Sequence, residues 1–140
     1  MATGEGAHGA APAPGPGELD TELAAQFDAA QQAAAADGVA LEIVSGRRTA
    51  AEQQALVDEA VATYGEEEAH RRVMPPESSA HVQGYAIDVG PTDGVYWLIE
   101  HGATFGLCQV YLNEVWHFEL RTEPGGVCPA QLPDASSAWG

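Results

Sequence analysis

The sequence predicts an α+β domain, a small antiparallel sheet flanked by helices. Apolar residues at helical spacing are interleaved with short stretches of strand period, without the regular strand–helix–strand alternation that builds a parallel sheet. Two of the strand-like stretches stand close together late in the chain, separated only by a short turn, as in a hairpin. At 140 residues and 45% hydrophobic, the chain can bury one core but is too short for two ordinary domains.

Residues 1–17 hold five Gly and three Pro and almost nothing apolar larger than Ala. Such a segment cannot repay the entropy of ordering, so it reads as a flexible leader, with 18–140 as a single domain. Leu23, Phe27, Ala30 and Ala34 recur at helical spacing, with Asp20 as N-cap and Gly38 just beyond the end. Val39, Leu41 and Ile43 then alternate with Ala40, Glu42 and Val44, the period of a strand with one buried face. After the polar turn Ser45-Gly46-Arg47-Arg48, Thr49 and Glu52 form a capping box. The helix they open has Gln53, Leu56, Val57, Ala60, Val61 and Tyr64 on one broad face. Glu67 and Glu68 stand four residues before Arg71 and Arg72, predicting a solvated continuation that ends at Pro75-Pro76. Residues 85–89 read as a strand, 95–101 as a helix closed by Gly102, and 107–111 with 115–120 as a strand pair. The tail from Thr122, rich in Pro, Gly and Ser, reads as a surface wrap pinned by Cys128.

Charge removes several classes of function. Asp and Glu number 21 against five basic residues, a formal charge of −16, and all five bases are Arg. Without a basic stripe to displace counterions from phosphates, nucleic-acid binding is excluded, and a polybasic membrane anchor fails for the same reason. No apolar run approaches the ~18 residues of a membrane span. The first residues lack the positive start and apolar stretch of a secretory signal, so the protein is either cytosolic or begins after a removed leader. Cys108 and Cys128, twenty residues apart and outside any C-x-x-C pattern, favour one disulfide in an exported, extracytoplasmic protein.

His81, Asp88 and His117 offer the N and O donors that Zn2+ accepts, and three protein ligands with an open fourth position is the pattern of a catalytic zinc. Glu114 lies three residues before His117 and can take the proton of a metal-activated water. That spacing places two residues on one face of a helix but on opposite faces of an ideal strand, so Glu114 is expected in the turn entering the last strand. His8, His70 and His101 are not candidates. The first lies in the leader, the second in the solvated run, and the third closes a helix whose dipole it complements.

Residues 79–88 read S-x-H-x-x-G-x-A-x-D and residues 114–117 read E-x-W-H. This pair of motifs resembles the signature of the LAS zinc metallopeptidases, the bacterial D,D-carboxypeptidases and dipeptidases acting on D-Ala-D-Ala. The resemblance spans roughly residues 41 to 120. Upstream, Ser45-Gly46-Arg47-Arg48-Thr49 is similar to the family's S-G-[aromatic]-R-[S/T] segment, with Arg47 standing where an aromatic is usual. The resemblance implies a LAS (hedgehog/D-Ala-D-Ala peptidase-like) fold, one Zn2+ per chain held by His81, Asp88 and His117, and Glu114 as general base and acid. It also implies Arg48 and Ser79 as substrate-binding residues and Trp116 as packing support for the metal site.

The expected activity is hydrolysis of the terminal D-Ala-D-Ala bond of peptidoglycan stem peptides by a monomer, with Arg48 gripping the terminal carboxylate by two parallel hydrogen bonds. The alternatives are a D-Ala-D-Ala dipeptidase, an endopeptidase of the same clan, and a non-catalytic zinc-containing wall-binding module. Glu114 argues against the last, because a structural site has no use for a base.

Overall fold

The structure, a computed structural model, describes residues 19 to 139; the leader expected at 1–17 lies outside the described residues. Four strands form one antiparallel sheet in the order β1-β2-β4-β3, with β1 at Glu42–Ser45, β2 at Ala86–Gly90, β3 at Leu107–Tyr111 and β4 at Glu114–Leu120. Among the described residues five α-helices accompany it: α1 Thr21–Ala36, α2 Ala50–Tyr64, α3 Glu66–Arg72, α4 Ala80–Gln83 and α5 Thr92–His101. Among the described residues no helix is long and apolar enough to cross a membrane.

Strand alternation divides the sheet into two chemically different faces. Ile87, Val89 and Phe118 point to one side and join Leu23, Phe27, Ala30 and Ala34 of α1 and Val95, Trp97 and Leu98 of α5 in the main core. Ala86, Asp88, His117 and Glu119 occupy the alternate positions, and the sheet face they form carries the polar site. Helix α1 begins as its sequence predicts, with Asp20 accepting from the Leu23 amide at 3.1 Å. Helix α2 begins with the predicted reciprocal box between Thr49 and Glu52.

The structure corrects the sequence reading in several places. Strand β1 covers only Glu42–Ser45, and although Leu41 is buried, Ile43 is 39% and Val44 73% exposed. The strand is an edge with a register irregularity between Ile43 and Ser45, so the expected buried face ends at Leu41. The second helix does not run on to Pro75. Gly65, at φ 85°, breaks it into α2 and α3, a conformation L side chains resist. The pairs Glu67–Arg71 and Glu68–Arg72 do form on α3. His70, expected in solvent, stacks on Trp139 with ring centroids 3.7 Å apart. Helix α5 starts three residues before the predicted 95.

The tail is more ordered than a loose wrap. Cys108 and Cys128 are joined by a disulfide. Leu132 bridges to Tyr111 in parallel, and a 3-10 turn at Ala135–Trp139 packs on α3, with Trp139 Nε1 donating to the Val73 carbonyl at 2.9 Å. Val110, Tyr111, Ala135 and Met74 form a small second apolar cluster there.

Close approach of α5 to the chain entering β1 requires a glycine. A Cβ built on Gly94 would lie 2.5 Å from the Ala40 carbonyl oxygen and 3.2 Å from the Leu41 Cα, both backbone atoms that cannot swing aside. Gly94→Ala is therefore expected to destabilise the domain by about 1–3 kcal/mol, the usual cost of overpacking. Urea unfolding checks this, with a lowered midpoint at an unchanged slope as the expected result.

Candidate active site

Local backbone geometry brings the predicted site residues together. Ser79 precedes the single-turn helix α4, which carries His81, and Gly84 ends that turn in the left-handed conformation at φ 83°. The chain can then reverse into β2, whose middle residue is Asp88. Asp88 stands directly opposite His117 in the β2–β4 ladder and opposite Ser45 in the β1–β2 ladder. The turn after Ser45 is held against α4 twice: the Arg48 amide donates to the His81 carbonyl at 3.0 Å, and His81 Nδ1 lies 2.9 Å from the Gly46 carbonyl.

One donor atom from each of His81, Asp88 and His117 lies within 4.8 Å of the others. The hydrogen bonds outside this triangle define what faces into it. A carbonyl only accepts, so His81 carries its proton on Nδ1 and turns Nε2 inward, 3.2 Å from Asp88 Oδ1. A carboxylate likewise only accepts, so His117 donates through Nε2 to Glu119 Oε2 at 2.8 Å. His117 Nδ1 is buried without a hydrogen-bond partner, 3.4 Å from Asp88 Oδ1. Two imidazole lone pairs thus converge on a carboxylate, an arrangement that repels itself unless a cation stands between them. The donor set fits a zinc ion, two neutral imidazoles and one carboxylate.

The titration behaviour reflects the same pressure for positive charge. Burial would lower the His117 pKa, yet the carboxylates of Asp88 and Glu119 beside the ring push it up to about 9. Burial raises the Asp88 carboxyl, and the two imidazoles more than reverse this, holding it well below the usual carboxylate range.

Glu114 is the first residue of β4 rather than part of the turn before it, and its Oε1 still reaches within 3.7 Å of His117 Nδ1. The expectation that a strand would set the two apart fails because β4 is irregular here. The β3–β4 register shifts between Gln109 and Tyr111, and Val115 and Trp116 are both exposed while His117 and Phe118 are both buried. Burial, with the nearby negative charge of Asp88, raises the Glu114 pKa despite the opposing imidazoles.

A cavity of about 370 Å3 runs from these residues along α2, lined there by Gln53, Leu56 and Ala60. Arg48 lines it and Arg47 does not. Arg48 donates to Gln53 Oε1 at 3.1 Å and to Asp88 Oδ2 at 3.4 Å. Ser79, 2% exposed, also lines the cavity. Trp116, expected as packing support for the metal site, stands at the rim, 44% exposed, where it lines this cavity and a neighbouring apolar cleft.

Three contributions were not read from the sequence. The Gly46 carbonyl has no side-chain signal at all. Glu119 had one, since it follows His117 by two residues in a strand and so shares its face. Tyr111 packs 5.2 Å from the His117 ring, and burial pushes its phenol up to about 12, leaving the hydroxyl to donate to Met74 Sδ at 3.1 Å.

Comparison with known proteins agrees with this geometry. The sequence profile of the VanY D-alanyl-D-alanine carboxypeptidase family matches residues 17–124. The chain belongs to this family. A D-alanyl-D-alanine carboxypeptidase of Enterococcus faecalis (strain ATCC 700802 / V583) is 34% identical over 119 residues, covering 66% of this chain and 42% of that protein. The chain thus spans about two fifths of that curated relative.

Solved members of the VanY group superpose well. A variant of the vancomycin-resistance D,D-pentapeptidase VanY in complex with Zn(II) gives a TM-score of 0.68 at 29% identity, covering 74% of this chain and 73% of that one. VanYB in complex with D-alanine-D-alanine gives 0.67 at 30% identity, covering 74% and 72%. The D,D-dipeptidase VanXYg, in complex with a D-Ala-D-Ala phosphinate analogue, gives 0.63 at 26% identity, covering 72% and 49%. The fold is therefore that of the LAS zinc peptidases, as the sequence motifs imply.

The purified VanY-family domain is expected to hold about one zinc per chain, the stoichiometry of a three-ligand catalytic site. Elemental analysis of the wild type and of a His117→Ala, Asp88→Ala double variant checks this, with the metal lost from the variant.

Proposed function

We propose that this domain is a zinc-dependent D,D-carboxypeptidase that removes the terminal D-Ala from peptidoglycan stem peptides. The observation that carries the reading is the presence, in one open groove, of a His81–Asp88–His117 donor set, a separate carboxylate and a guanidinium. A structural metal site needs only the first. The Zn(II) complex of VanY and the D-alanine-D-alanine complex of VanYB support the same metal and substrate class.

A bound zinc supplies a Lewis acid that polarises the scissile carbonyl and lowers the pKa of water to about 7. Glu114 takes the proton of the attacking water on a carboxylate oxygen and delivers it to the leaving amine. Its raised pKa suits both halves of that transfer, because a base that is too weak would not accept the proton and one that is too strong would not release it. Arg48 receives the terminal carboxylate of the peptide through paired N–H donors, and Gln53 fixes one end of its guanidinium. Ser79, which lines the groove, is the second residue assigned to substrate binding.

Groove length favours a carboxypeptidase over an enzyme for free dipeptide. The α2 wall runs from Gln53 to Tyr64, ~16 Å at 1.5 Å per residue, enough for four to five residues of extended chain at ~3.3 Å each. A dipeptidase needs no such extension. Action on wall precursors outside the membrane also accords with the Cys108–Cys128 disulfide, which persists in oxidising compartments.

Glu114→Gln should retain fold and zinc while lowering kcat by roughly 10^2 to 10^4-fold, the range for loss of a positioned base. Steady-state kinetics on a D-Ala-D-Ala-terminated pentapeptide check this. Arg48→Lys should weaken kcat/KM by roughly 1.5–3 kcal/mol on the same peptide, the range for hydrogen bonds to charged groups. On the C-terminally amidated peptide the variant and the wild type should be similar, and equal losses on both substrates would remove Arg48 as the clamp.

A further inference from the structure

We propose that Glu119 is a positioning residue for the metal centre, holding the His117 ring so that Nδ1 faces inward as a lone pair. The proposal rests on the reading of His117 as a zinc ligand and adds to it a residue outside the ligand set.

The position is set by strand geometry. His117 and Glu119 are alternate residues of β4 and share a face of the sheet, and Arg121 follows just past the end of the strand. Glu119 Oε2 accepts from His117 Nε2 at 2.8 Å, and Arg121 Nη1 lies 3.6 Å from the other oxygen, Oε1. The flanking strands leave room for this chain of contacts, since the residues opposite Glu119 are the small Ala86 on β2 and Cys108 on β3. The Glu119 side chain is only 14% exposed, so water competes weakly for the bond.

Chemistry then decides the orientation of the ring. A hydroxyl or amide beside Nε2 could donate as well as accept, and would allow the proton to sit on Nδ1, where it would block metal binding. An ionised carboxylate can only accept, and Glu119 offers its Oε2 to His117 Nε2 while Arg121 stands beside Oε1. His81 is held by the equivalent device, but its acceptor is the Gly46 backbone carbonyl, which no substitution removes. Of the two imidazoles, only His117 depends on a side chain for its orientation.

The test is zinc affinity by chelator competition for wild type, Glu119→Ala, Glu119→Gln and His117→Ala, with circular dichroism confirming the fold of each. Loss of an outer carboxylate partner should weaken zinc binding 10 to 100-fold in Glu119→Ala, and less in Glu119→Gln, which keeps a carbonyl acceptor. In the zinc-loaded proteins, the His117 ring N–H proton should be protected from exchange in wild type and lost to exchange in Glu119→Ala. The His81 ring N–H, held by Gly46, should persist in both, which a general loosening of the site would not allow. Zinc affinity of Glu119→Ala within about threefold of wild type, well short of the loss expected for such a partner, would overturn the proposal. The same holds for a His117 N–H that remains protected in Glu119→Ala. Wild-type affinity in His117→Ala would instead overturn the ligand assignment beneath it.

Discussion

The register between β2 and β4 is the constraint on which the site depends. Asp88 and His117 face one another across that ladder, and Ser45 on β1 lines up behind Asp88. Because side chains alternate with period two, a slip of one residue would carry His117 to the apolar face and bring Phe118 to the site. That slip is opposed by the core itself, for Ile87 and Phe118 are paired on the other face and almost completely buried. The same packing that stabilises the sheet thus positions two of the three donors, and the third is added locally by the single turn of α4. The site is built on the sheet, with the left-handed Gly84 providing the reversal between α4 and β2.

Once aligned, the donors face one another with matching rather than opposing polarity. Gly46 and Glu119 take the outward-facing ring protons, so the inward-facing nitrogens meet the Asp88 carboxylate as acceptors. Burial sharpens the conflict, since His117 Nδ1 has no hydrogen-bond partner of its own. A metal ion resolves all of these contacts at once. The same two carboxylates, Asp88 and Glu119, hold the His117 pKa up at about 9 in spite of burial.

Much of this was legible in the sequence because it depends on local signals. The N-cap at Asp20, the box from Thr49 to Glu52 and the motif around His81 are short patterns with physical causes in nearby backbone. The misses have a common origin in tertiary context. Ile43 and Val44 have strand period but lie on an edge, where alternation no longer implies burial. Gly65 was passed over because the charged pattern continues on both sides of it, and only its positive φ shows the break. The tail looked like a wrap because Leu132 and Trp139 find their partners, Tyr111 and His70, far back in the chain. In the site, Glu114 was identified by residue type and spacing, but its reach toward His117 depends on a β3–β4 irregularity that no periodicity reveals.

The charge of the whole chain and the charge of the site act at different ranges. At −16 the protein repels an anionic peptide from a distance, but that repulsion is screened within about 8 Å at physiological ionic strength. Inside the groove the balance is local. Arg71 and Arg72 are paired with Glu67 and Glu68 on α3, and Arg121 is engaged with Glu119. Arg48 is different, since one of its nitrogens rests on the neutral Gln53 and its contact with Asp88 is long, at 3.4 Å. Among the arginines named, Arg48 is thus the one that lines the groove without a close carboxylate partner.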